Sequence, residues 1–283
     1  MIANYLMLQK RIAQVQSWLS FLDGDRVHGS VISNGTITGR MSHRDPNMAQ
    51  IPSLSSPYGK ECRACWTVPR GYKLVGVDAS GLELRMLAHY LNDKEFINDI
   101  LNGDIHTANQ ARAGLQSRSQ AKTFIYAFLY GAGDAKIGQV VGGNKAQGKR
   151  VKQSFLNNFP SLKSFRNRVK READQRGYIK ALDGRKVFIR SSHAALNSLL
   201  QSAGAIVMKR ALVILNNKLL SSDIDAHVVA NVHDEWQIET WENDVDRLGS
   251  MAVDSIVEAG VYYKLKCPMD AEYKIGDNWS DTH

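Results

Sequence analysis

The run Tyr72–Arg85, YKLVGVDASGLELR, constrains the fold more than any other segment because its periodicity changes within it. An apolar β-type stretch stops at Asp78, and from Leu82 the apolar residues recur at the spacing of a helix. An acid at the end of a buried strand lies where a rigid scaffold can hold a metal ion. The run therefore predicts a strand, a candidate metal ligand at Asp78 and a helix over 82–91.

The composition is typical of a globular protein with a substantial core. The chain has 283 residues, of which 43% are hydrophobic, enough for one large domain or two smaller ones. Residues 1–22 have helical spacing, but polar residues interrupt them, so they match neither a membrane span nor a signal peptide. We therefore expect an intracellular protein without a membrane partner.

Positive charge exceeds negative charge in this sequence. Lys and Arg number 36 against 28 Asp and Glu, a formal net charge of +8, which favours a polyanionic partner. Basic residues concentrate in 145–152 and 163–176. Either run alone is explained better by the solvated face of a helix, so charge supports a nucleic-acid partner without identifying one.

The three cysteines do not indicate a metal or disulfide scaffold. Cys62 and Cys65 form a lone CxxC, and Cys267 is distant in sequence. A structural zinc site needs a second pair of ligands, and a redox motif needs its own fold context. The pattern favours ordinary packing in a reducing compartment.

Two β-hairpins are indicated by β-prone stretches around turn residues. In 27–42 the turn is Asn34-Gly35, and Arg40 follows the second predicted strand. In 227–240 the turn is formed by the polar residues at the tip.

Helical periodicity fills most of 92–192, and a long helix is predicted over 196–220. We find no internal repeat. Hairpins that alternate with helices favour an α+β fold over a doubly wound parallel sheet.

Asp234, at the tip of the second predicted hairpin, is the second candidate metal ligand. Acids at such a tip are commonly only a polar turn, but Asp234 and Asp78 can converge on one sheet if both lie at strand ends. Such a pair suits divalent ions that activate an attacking hydroxyl and stabilise a leaving oxygen in phosphoryl transfer. Glu235 is expected to point away from Asp234 because successive side chains alternate on extended backbone.

A cationic and aromatic stripe is predicted in RSQAKTFIYAFLYG. Arg118, Lys122, Tyr126 and Tyr130 recur every four residues, so they share one helical face. The cations suit a triphosphate, and Tyr126 suits a nucleobase. Alone, the stripe slightly favours an amphipathic helix with basic solvent contacts. Beside two candidate metal ligands it favours a nucleotide.

These segments resemble the motifs of A-family DNA polymerases, which include bacterial DNA polymerase I. DASGLELR, RSQAKTFIYAFLYG and VHDE occur in the order of the family's A, B and C motifs. Further matches are NGTITGR, DPNMAQIP, NGDIHT, LDGRKV, HAALNSLLQSAGA and GDNWSDTH, so the resemblance covers nearly the whole chain. The sequence most closely resembles the replicative polymerases of tailed bacteriophages.

The resemblance implies a right-hand polymerase fold of the α+β class, with an antiparallel palm sheet, mostly helical fingers and a largely absent thumb. The expected domains are a residual thumb helix at 1–26, the palm at 27–91 and 193–283, and the fingers at 92–192. A 3′–5′ exonuclease domain is not expected, because no segment has the acids or the length for one.

The resemblance also implies roles in catalysis. Asp78 and Asp234 resemble the two metal-binding aspartates of the palm, with the carbonyl of Ala79 as a further ligand. Lys122 would donate a proton to departing pyrophosphate. The residues that resemble the grip on the incoming triphosphate are Arg118, Lys122 and His106.

Other residues resemble contacts to the sugar, the base and the DNA. Glu83 resembles a steric gate against a ribose 2′-hydroxyl and is held by Tyr130. Tyr126 occupies a position that is Phe or Tyr in the family, where Tyr is associated with acceptance of dideoxynucleotides. The expected contacts to the primer-template are Arg40, Asn197, Gln201 and His233.

The implied activity is attack by a primer 3′-hydroxyl on the α-phosphate of a deoxynucleoside triphosphate, with release of pyrophosphate. The implied cofactors are two Mg²⁺ ions, with Mn²⁺ as a substitute. The expected partners are primer-template DNA, deoxynucleoside triphosphates and a second chain that supplies an exonuclease and a thumb. The expected location is the cytoplasm, that of the infected bacterial host if a phage encodes the chain.

Two rival interpretations stay open at the level of sequence. A catalytically weak nucleic-acid-binding fragment would share the charge and the fold. A single-chain RNA polymerase can share the palm and the helical stripe, but Glu83 argues for deoxynucleotides. The sequence does not distinguish a natural short gene product from an excised fragment.

Overall fold

The computed structural model describes residues 2–283, and the chain divides into two compact units. What we name the sheet unit comprises the chain up to Ser80, Val207–Val261 and Met269–His283. What we name the helical unit comprises Gly81–Ile206 and Tyr262–Pro268.

Helices and strands occur in groups along the described residues, with an unbroken series of helices over residues 82–176. The helices are α1 (Ile2–Leu19), α2 (Gly59–Ala64), α3 (Leu82–Leu91), α4 (Lys94–Leu101), α5 (Ile105–Ala113), α6 (Arg118–Leu129), α7 (Asp134–Val140), α8 (Lys145–Asn157), α9 (Pro160–Arg176), α10 (Ala195–Leu220) and α11 (Val245–Tyr262). The strands are β1 (Leu22–Asp23), β2 (Arg26–Val27), β3 (Ser30–Ile32), β4 (Ser42–Arg44), β5 (Tyr72–Ala79), β6 (Tyr178–Lys180), β7 (Lys186–Phe188), β8 (Ala226–Val232), β9 (Glu235–Trp241) and β10 (Ala271–Gly276). The predicted helix over 82–91 is confirmed as α3, and the predicted helix over 196–220 is confirmed as α10.

The sheet unit is built on a four-stranded antiparallel sheet with the strand order β10-β5-β9-β8. On one face, Val75 and Val77 of β5 are fully buried opposite Ile238 and Trp236 of β9. Asp78 interrupts this burial with an exposed side chain, and Ala79, the last residue of the strand, is buried again. The apolar run in the sequence therefore forms a central strand with one exposed carboxylate, Asp78, near its end.

The residues of β9 that alternate with this apolar face form a buried polar cluster around Glu235. Glu235 lies in register with Asp78 and is 5% exposed. Oε1 accepts hydrogen bonds from Gln237 Nε2 at 2.6 Å, from Arg63 Nη1 at 3.4 Å and from Trp279 Nε1. His283 Nδ1 lies 3.2 Å from Oε2, and the Arg63 guanidinium stacks 4.6 Å from the Trp279 ring centroid.

The last residues of the chain fix this cluster against the sheet. Thr282 Oγ1 donates a hydrogen bond to Gln237 Oε1 at 2.7 Å, and Trp279 N donates one to Trp66 O at 3.0 Å. A Cβ at Gly76 would lie 2.4 Å from Thr282 O. The glycine in the middle of β5 is therefore needed for the close approach of this segment.

The N-terminal part of the sheet unit packs through aromatic rings. Trp18 of α1 meets Trp66 edge to face, with the ring centroids 5.2 Å apart. Trp18 and Trp279 share a core with Cys62 and Leu74. All three cysteines are free. Cys62 and Cys267 are buried, as the predicted packing role requires, whereas Cys65 is exposed, so the prediction was wrong for Cys65.

The helical unit has a core of phenylalanines. Phe155 of α8 packs edge to face against Phe124 and Phe128 of α6, with centroids 5.2 and 5.3 Å apart. Capping residues set where the helices begin: Asp104 caps α5 and Ser117 caps α6. The caps fix the start of the predicted cationic stripe at Arg118.

Helix α10 is the longest helix. Together with the short turn before it, the helix spans Ser192–Leu220, which is long and apolar enough to cross a membrane by length and composition, but 67% of the most apolar window of this segment is buried within the protein. That burial is typical of a core helix.

Two sequence predictions need correction. Residues 27–42 were expected to pair around Asn34-Gly35, but β3 pairs with β4, so the second strand begins only after Arg40. Thr36 Oγ1 instead donates to Arg40 O at 3.1 Å, and such local side-chain bonds compete with strand pairing. The helical region also contains a hairpin, β6–β7, that its short strands did not reveal.

The compact units also differ from the expected domain limits. Residues 81–91 and 193–206 group with the helical unit. The assignment of the palm, the fingers and the thumb helix stays a prediction.

Gly76→Ala is expected to destabilise the sheet unit by about 1–3 kcal/mol, because the new methyl group must displace Thr282. Urea denaturation measures the change. Gly133→Ala is the control, since a Cβ there meets open space. Equal stability of the two variants would contradict the close approach at Gly76.

The Glu235 cluster predicts a dependence of stability on pH. Burial alone raises the pKa of Glu235, but His283, Trp279 and Arg63 together hold it below the ordinary value of 4.5. The resulting stability is present above about pH 4.5 and is lost as the pH falls through the folded-state pKa.

Glu235→Gln should therefore lower the free energy of unfolding at pH 7 by about 1–3 kcal/mol, and the gap from the unchanged protein should narrow at pH 3.5. Urea denaturation at both pH values measures the gap. Glu61→Gln, an exposed carboxylate of the same unit, should show no gap at either pH. A constant gap for Glu235→Gln would refute the stabilising role of its ionised form.

Candidate functional site

The two candidate metal ligands lie on neighbouring antiparallel strands. Asp78 is the penultimate residue of β5 and pairs with Glu235, the first residue of β9. The Ala79 amide donates a hydrogen bond to the Asp234 carbonyl at 3.0 Å. The strand end and the hairpin tip therefore meet at one edge of the sheet, as the sequence predicted.

The hairpin tip has a specific backbone conformation. His233 has φ +60°, in the left-handed region, and its side chain is exposed, whereas Asp234 is half-buried. A polar residue tolerates this conformation better than a β-branched one does. The turn brings Asp234 back toward β5 immediately before Glu235 enters the core.

The residues at this edge suit a magnesium ion. No cluster of three or more His, Cys, Asp or Glu side chains that could hold a metal occurs in residues 2–283. Mg²⁺ is commonly bound by one or two carboxylates, with water and substrate phosphates completing its shell. Asp78 and Asp234 provide such a pair, and the metal roles of both and of the Ala79 carbonyl stay predictions.

In the helical unit, α5 and α6 bring the predicted phosphate-binding residues together. Arg118 is exposed at the start of α6, and its Nε donates to Asp104 Oδ2 at 2.5 Å. This hydrogen bond is the main reason that the pKa of Asp104 lies far below its ordinary value. Lys122 is exposed one turn later on α6.

His106 of α5 lies beside these cations. Its ring centroid is 6.1 Å from that of Tyr126. Burial, followed by the positive charges of Arg118 and Lys122, lowers the pKa of His106, so the imidazole is neutral near pH 7. Its Nδ1 is buried without a hydrogen-bond partner in the described part of the chain. His106, Arg118, Lys122 and Tyr126 thus form one surface.

Glu83 and Tyr130 form the contact that the sequence predicted. The Tyr130 hydroxyl donates a hydrogen bond to Glu83 Oε1 at 2.8 Å. Glu83 is 5% exposed in the first turn of α3, which follows Gly81 with φ +60°. Tyr130 is the C-cap of α6 rather than a helical residue, so the predicted stripe ends one residue beyond the helix. The sugar-checking role stays a prediction.

The predicted DNA contacts are divided between the two units. Arg40 lies in the loop before β4, and His233 lies at the hairpin tip, both in the sheet unit. Asn197 and Gln201 lie one turn apart in the first half of α10, and both are half-buried. Their roles in binding DNA stay predictions.

Sequence reasoning gave no role to three residues that support this site. Arg63, Trp279 and His283 hold Glu235 next to Asp234. Trp279 and His283 belong to the closing segment GDNWSDTH, which was informative only as a family match. Arg63 gave no local signal, since its partner is 172 residues away.

Similar proteins agree with this architecture. A family model described as DNA polymerase family A matches residues 1–281. The chain is 42% identical to DNA-directed DNA polymerases of Enterobacteria phage T3, over 320 aligned positions, and of Escherichia phage T7, over 323. Each alignment covers 100% of this chain and 46% of the relative. DNA polymerase I of Pseudomonas aeruginosa is 28% identical over 91% of this chain and 30% of the relative.

A solved structure has the same fold. It is the POL domain of Pol1 from M. smegmatis in complex with DNA primer-template and dNTP, with a TM-score of 0.85 at 23% identity over 95% of this chain and 51% of that one. The predicted α+β polymerase fold and the resemblance to the family are confirmed. The chain spans about half the length of the phage relatives. It belongs to DNA polymerase family A.

Proposed function

We propose that the chain is the polymerase portion of a template-directed DNA polymerase, which adds deoxynucleotides to a primer 3′-hydroxyl and releases pyrophosphate. The observation that carries the proposal is the meeting of Asp78 and Asp234 through the hydrogen bond from Ala79 N to Asp234 O at 3.0 Å, in a chain that the family model matches over 1–281. Because the chain spans only half of its phage relatives, the activity of the whole protein is part of the proposal.

Membership of the family implies the use of divalent metal ions. We infer that Asp78, Asp234 and the Ala79 carbonyl hold two Mg²⁺ ions, for which Mn²⁺ substitutes. When bound, the ions lower the pKa of the primer hydroxyl and neutralise charge on the leaving oxygen. The exposed Asp78 carboxylate and the half-buried Asp234 support this role.

The residues of α5 and α6 bind the nucleotide in this proposal. Arg118 and Lys122 hold the triphosphate by charge-assisted hydrogen bonds, and His106, neutral near pH 7, adds a further polar contact. Lys122 donates a proton to the departing pyrophosphate. Tyr126 stacks against the base.

Glu83 selects the sugar. Its carboxylate is held by the Tyr130 hydroxyl and is almost fully buried, so it has little freedom to move. A rigid side chain at the sugar excludes a 2′-hydroxyl better than a mobile one, because removing the clash would require breaking the hydrogen bond.

The remaining proposals concern domains, partners and location. Palm residues are 27–91 and 193–283, fingers residues are 92–192, and 1–26 is part of a thumb. The primer-template is contacted by Arg40, Asn197, Gln201 and His233. A second chain supplies the exonuclease and the rest of the thumb, and the complex acts in the cytoplasm of an infected bacterium.

Asp78→Asn and Asp234→Asn should each reduce primer extension by about 10³-fold or more, because loss of a metal ligand removes several kcal/mol of transition-state stabilisation. Extension of a labelled primer-template with Mg²⁺ measures the rate. Asp277→Asn is the control, since Asp277 pairs with Lys73 on the surface of the same unit.

The same assay distinguishes the rival functions. Near-normal extension by either variant would exclude the proposed metal site. If the unchanged chain does not extend the primer, with or without a candidate second chain, the interpretation as a nucleic-acid-binding fragment would be favoured. Preferential use of ribonucleoside triphosphates would indicate an RNA polymerase.

Glu83→Ala and Tyr130→Phe should both increase incorporation of ribonucleotides relative to deoxynucleotides. We expect an increase of about 10-fold or more for Glu83→Ala and a smaller one for Tyr130→Phe, which removes only the hydrogen bond to Glu83. Competition between labelled nucleotides gives the ratio. The double variant should match Glu83→Ala alone, because Tyr130 acts through Glu83.

Tyr58→Phe is the matched control, since Tyr58 and Tyr130 are both 46% exposed. Unchanged sugar selectivity in Glu83→Ala would remove Glu83 from this role. Additive effects in the double variant would show that Tyr130 acts independently of Glu83.

A further inference from the structure

Asp104 makes more contacts than a helix cap requires. As the N-cap of α5, it accepts hydrogen bonds through Oδ1 from His106 N at 3.0 Å and from Thr107 N at 3.3 Å. Oδ2 accepts from Thr107 Oγ1 at 2.9 Å and from Arg118 Nε at 2.5 Å. One oxygen therefore fixes the carboxylate at the start of α5, and the other joins it to the first residue of α6.

The contact with Asp104 uses only part of the Arg118 guanidinium. This group has five N–H donors, and Nε carries one of them. Within residues 2–283, Asp104 is the only hydrogen-bond partner of the Arg118 side chain, and Nε is the atom that donates. Arg118 is exposed. The donors on its two terminal nitrogens are therefore available to an anion from solvent.

An arginine that is held before its ligand arrives loses less freedom on binding. The arginine side chain has many rotamers, and binding must immobilise them when they are not already restricted. At Arg118 the restriction comes from a carboxylate that other donors fix in place, namely His106 N, Thr107 N and Thr107 Oγ1. Asp104 is therefore suited to orient the guanidinium while its terminal nitrogens bind a phosphate.

The negative charge of Asp104 has an effect of the opposite sign. It repels phosphates, and its removal would strengthen their binding if this repulsion were the larger effect. Both side chains of the pair are substantially exposed, 57% for Arg118 and 41% for Asp104, so water and salt weaken the repulsion. The hydrogen bond from Nε constrains the guanidinium directly. We therefore expect orientation to outweigh repulsion.

We propose that Asp104 is a positioning residue for the incoming nucleotide. It holds Arg118 by Nε, so that the terminal nitrogens are oriented for the triphosphate before the nucleotide arrives. This role rests on the proposed function, in which Arg118 and Lys122 bind the triphosphate. Because Asp104 acts through Arg118, its loss should raise the KM for the nucleotide more than it lowers kcat.

Primer extension at varied deoxynucleotide concentration separates KM from kcat, and the candidate second chain is added if extension requires it. Asp104→Ala should raise KM about 3- to 10-fold and change kcat by less than about 2-fold. In Arg118→Ala, KM should already be raised, and adding Asp104→Ala should raise it no further, because Asp104 acts through Arg118. A purely structural role would raise KM by the same factor in both backgrounds.

Two further variants separate positioning from helix capping. Asp104→Asn keeps a good cap and an oxygen that can accept from Arg118, so KM should rise only about 2- to 3-fold, and only when Arg118 is present. This variant takes the place of Asp104→Ala if the latter does not fold. Asp93→Ala is the control, since Asp93 caps α4 in the same unit and accepts from Phe96 N at 3.2 Å. It loses a cap of the same kind without a contact to Arg118, so KM should stay unchanged.

Binding of sodium tripolyphosphate tests the same contact without DNA or catalysis. Isothermal titration calorimetry at physiological ionic strength should give a Kd that Asp104→Ala raises about 3- to 10-fold, but not in the Arg118→Ala background. If the chain shows this coupling but does not extend a primer, the polymerase proposal fails and the positioning role stands. If it extends a primer but the coupling is absent from both assays, only the positioning role fails.

Three results would overturn the positioning role: an unchanged or lower KM in Asp104→Ala, an equal rise of KM with and without Arg118, or the same rise in Asp93→Ala. A lower KM would show that Asp104 competes with the triphosphate for Arg118. A chain that neither extends a primer nor binds tripolyphosphate would refute both proposals.

Discussion

The pairing of β5 with β9 is the constraint on which the candidate catalytic edge depends. It aligns Asp78 with Glu235 and brings Ala79 to the carbonyl of Asp234. A shift by one residue would exchange the two faces of β9, moving Glu235 into the apolar layer and Trp236 into the polar one. The free-energy cost of burying Glu235 among apolar side chains fixes the register of β5 and β9, and this register fixes the positions of Asp78 and Asp234. The Glu235 cluster is therefore part of how the site is held, although Glu235 itself faces the interior.

In the helical unit, one interaction likewise positions the proposed binding residues: the contact of Asp104 with α5 and with Arg118. Asp104 caps α5 and also accepts a hydrogen bond from Arg118. One carboxylate therefore fixes the start of the helix and orients Arg118, which is proposed to bind the triphosphate. Burial, and after it the positive charges of Arg118 and Lys122, lower the pKa of His106. Because Lys122 and Arg118 are exposed, the surface retains positive charge for an anionic ligand. A single capping residue thus links helix formation to the proposed binding of triphosphate.

Sequence predicted the parts of the fold that local patterns control. Asp78 stood out because an apolar run ends there, and Asp234 because it lies at a hairpin tip, and both lie where those patterns implied. The second strand of the first hairpin was predicted too early in the sequence, because β-propensity does not reveal the hydrogen bond from the Thr36 side chain to the Arg40 carbonyl. The partners of Glu235 could not be predicted, since Arg63 and Trp279 approach it from distant segments and only folding brings them together.

The strand that leads to Asp234 is irregular in its middle but regular where it reaches the hairpin tip. The register of β8 with β9 shifts between Val228 and Ala230, so Val229 is left out of the ladder. A bulge of this kind bends an edge strand and redirects its side chains. Pairing is regular again at Val232, so the irregularity is absorbed before the tip and does not displace Asp234. The strand therefore tolerates one unpaired residue while keeping the register on which the candidate catalytic edge depends.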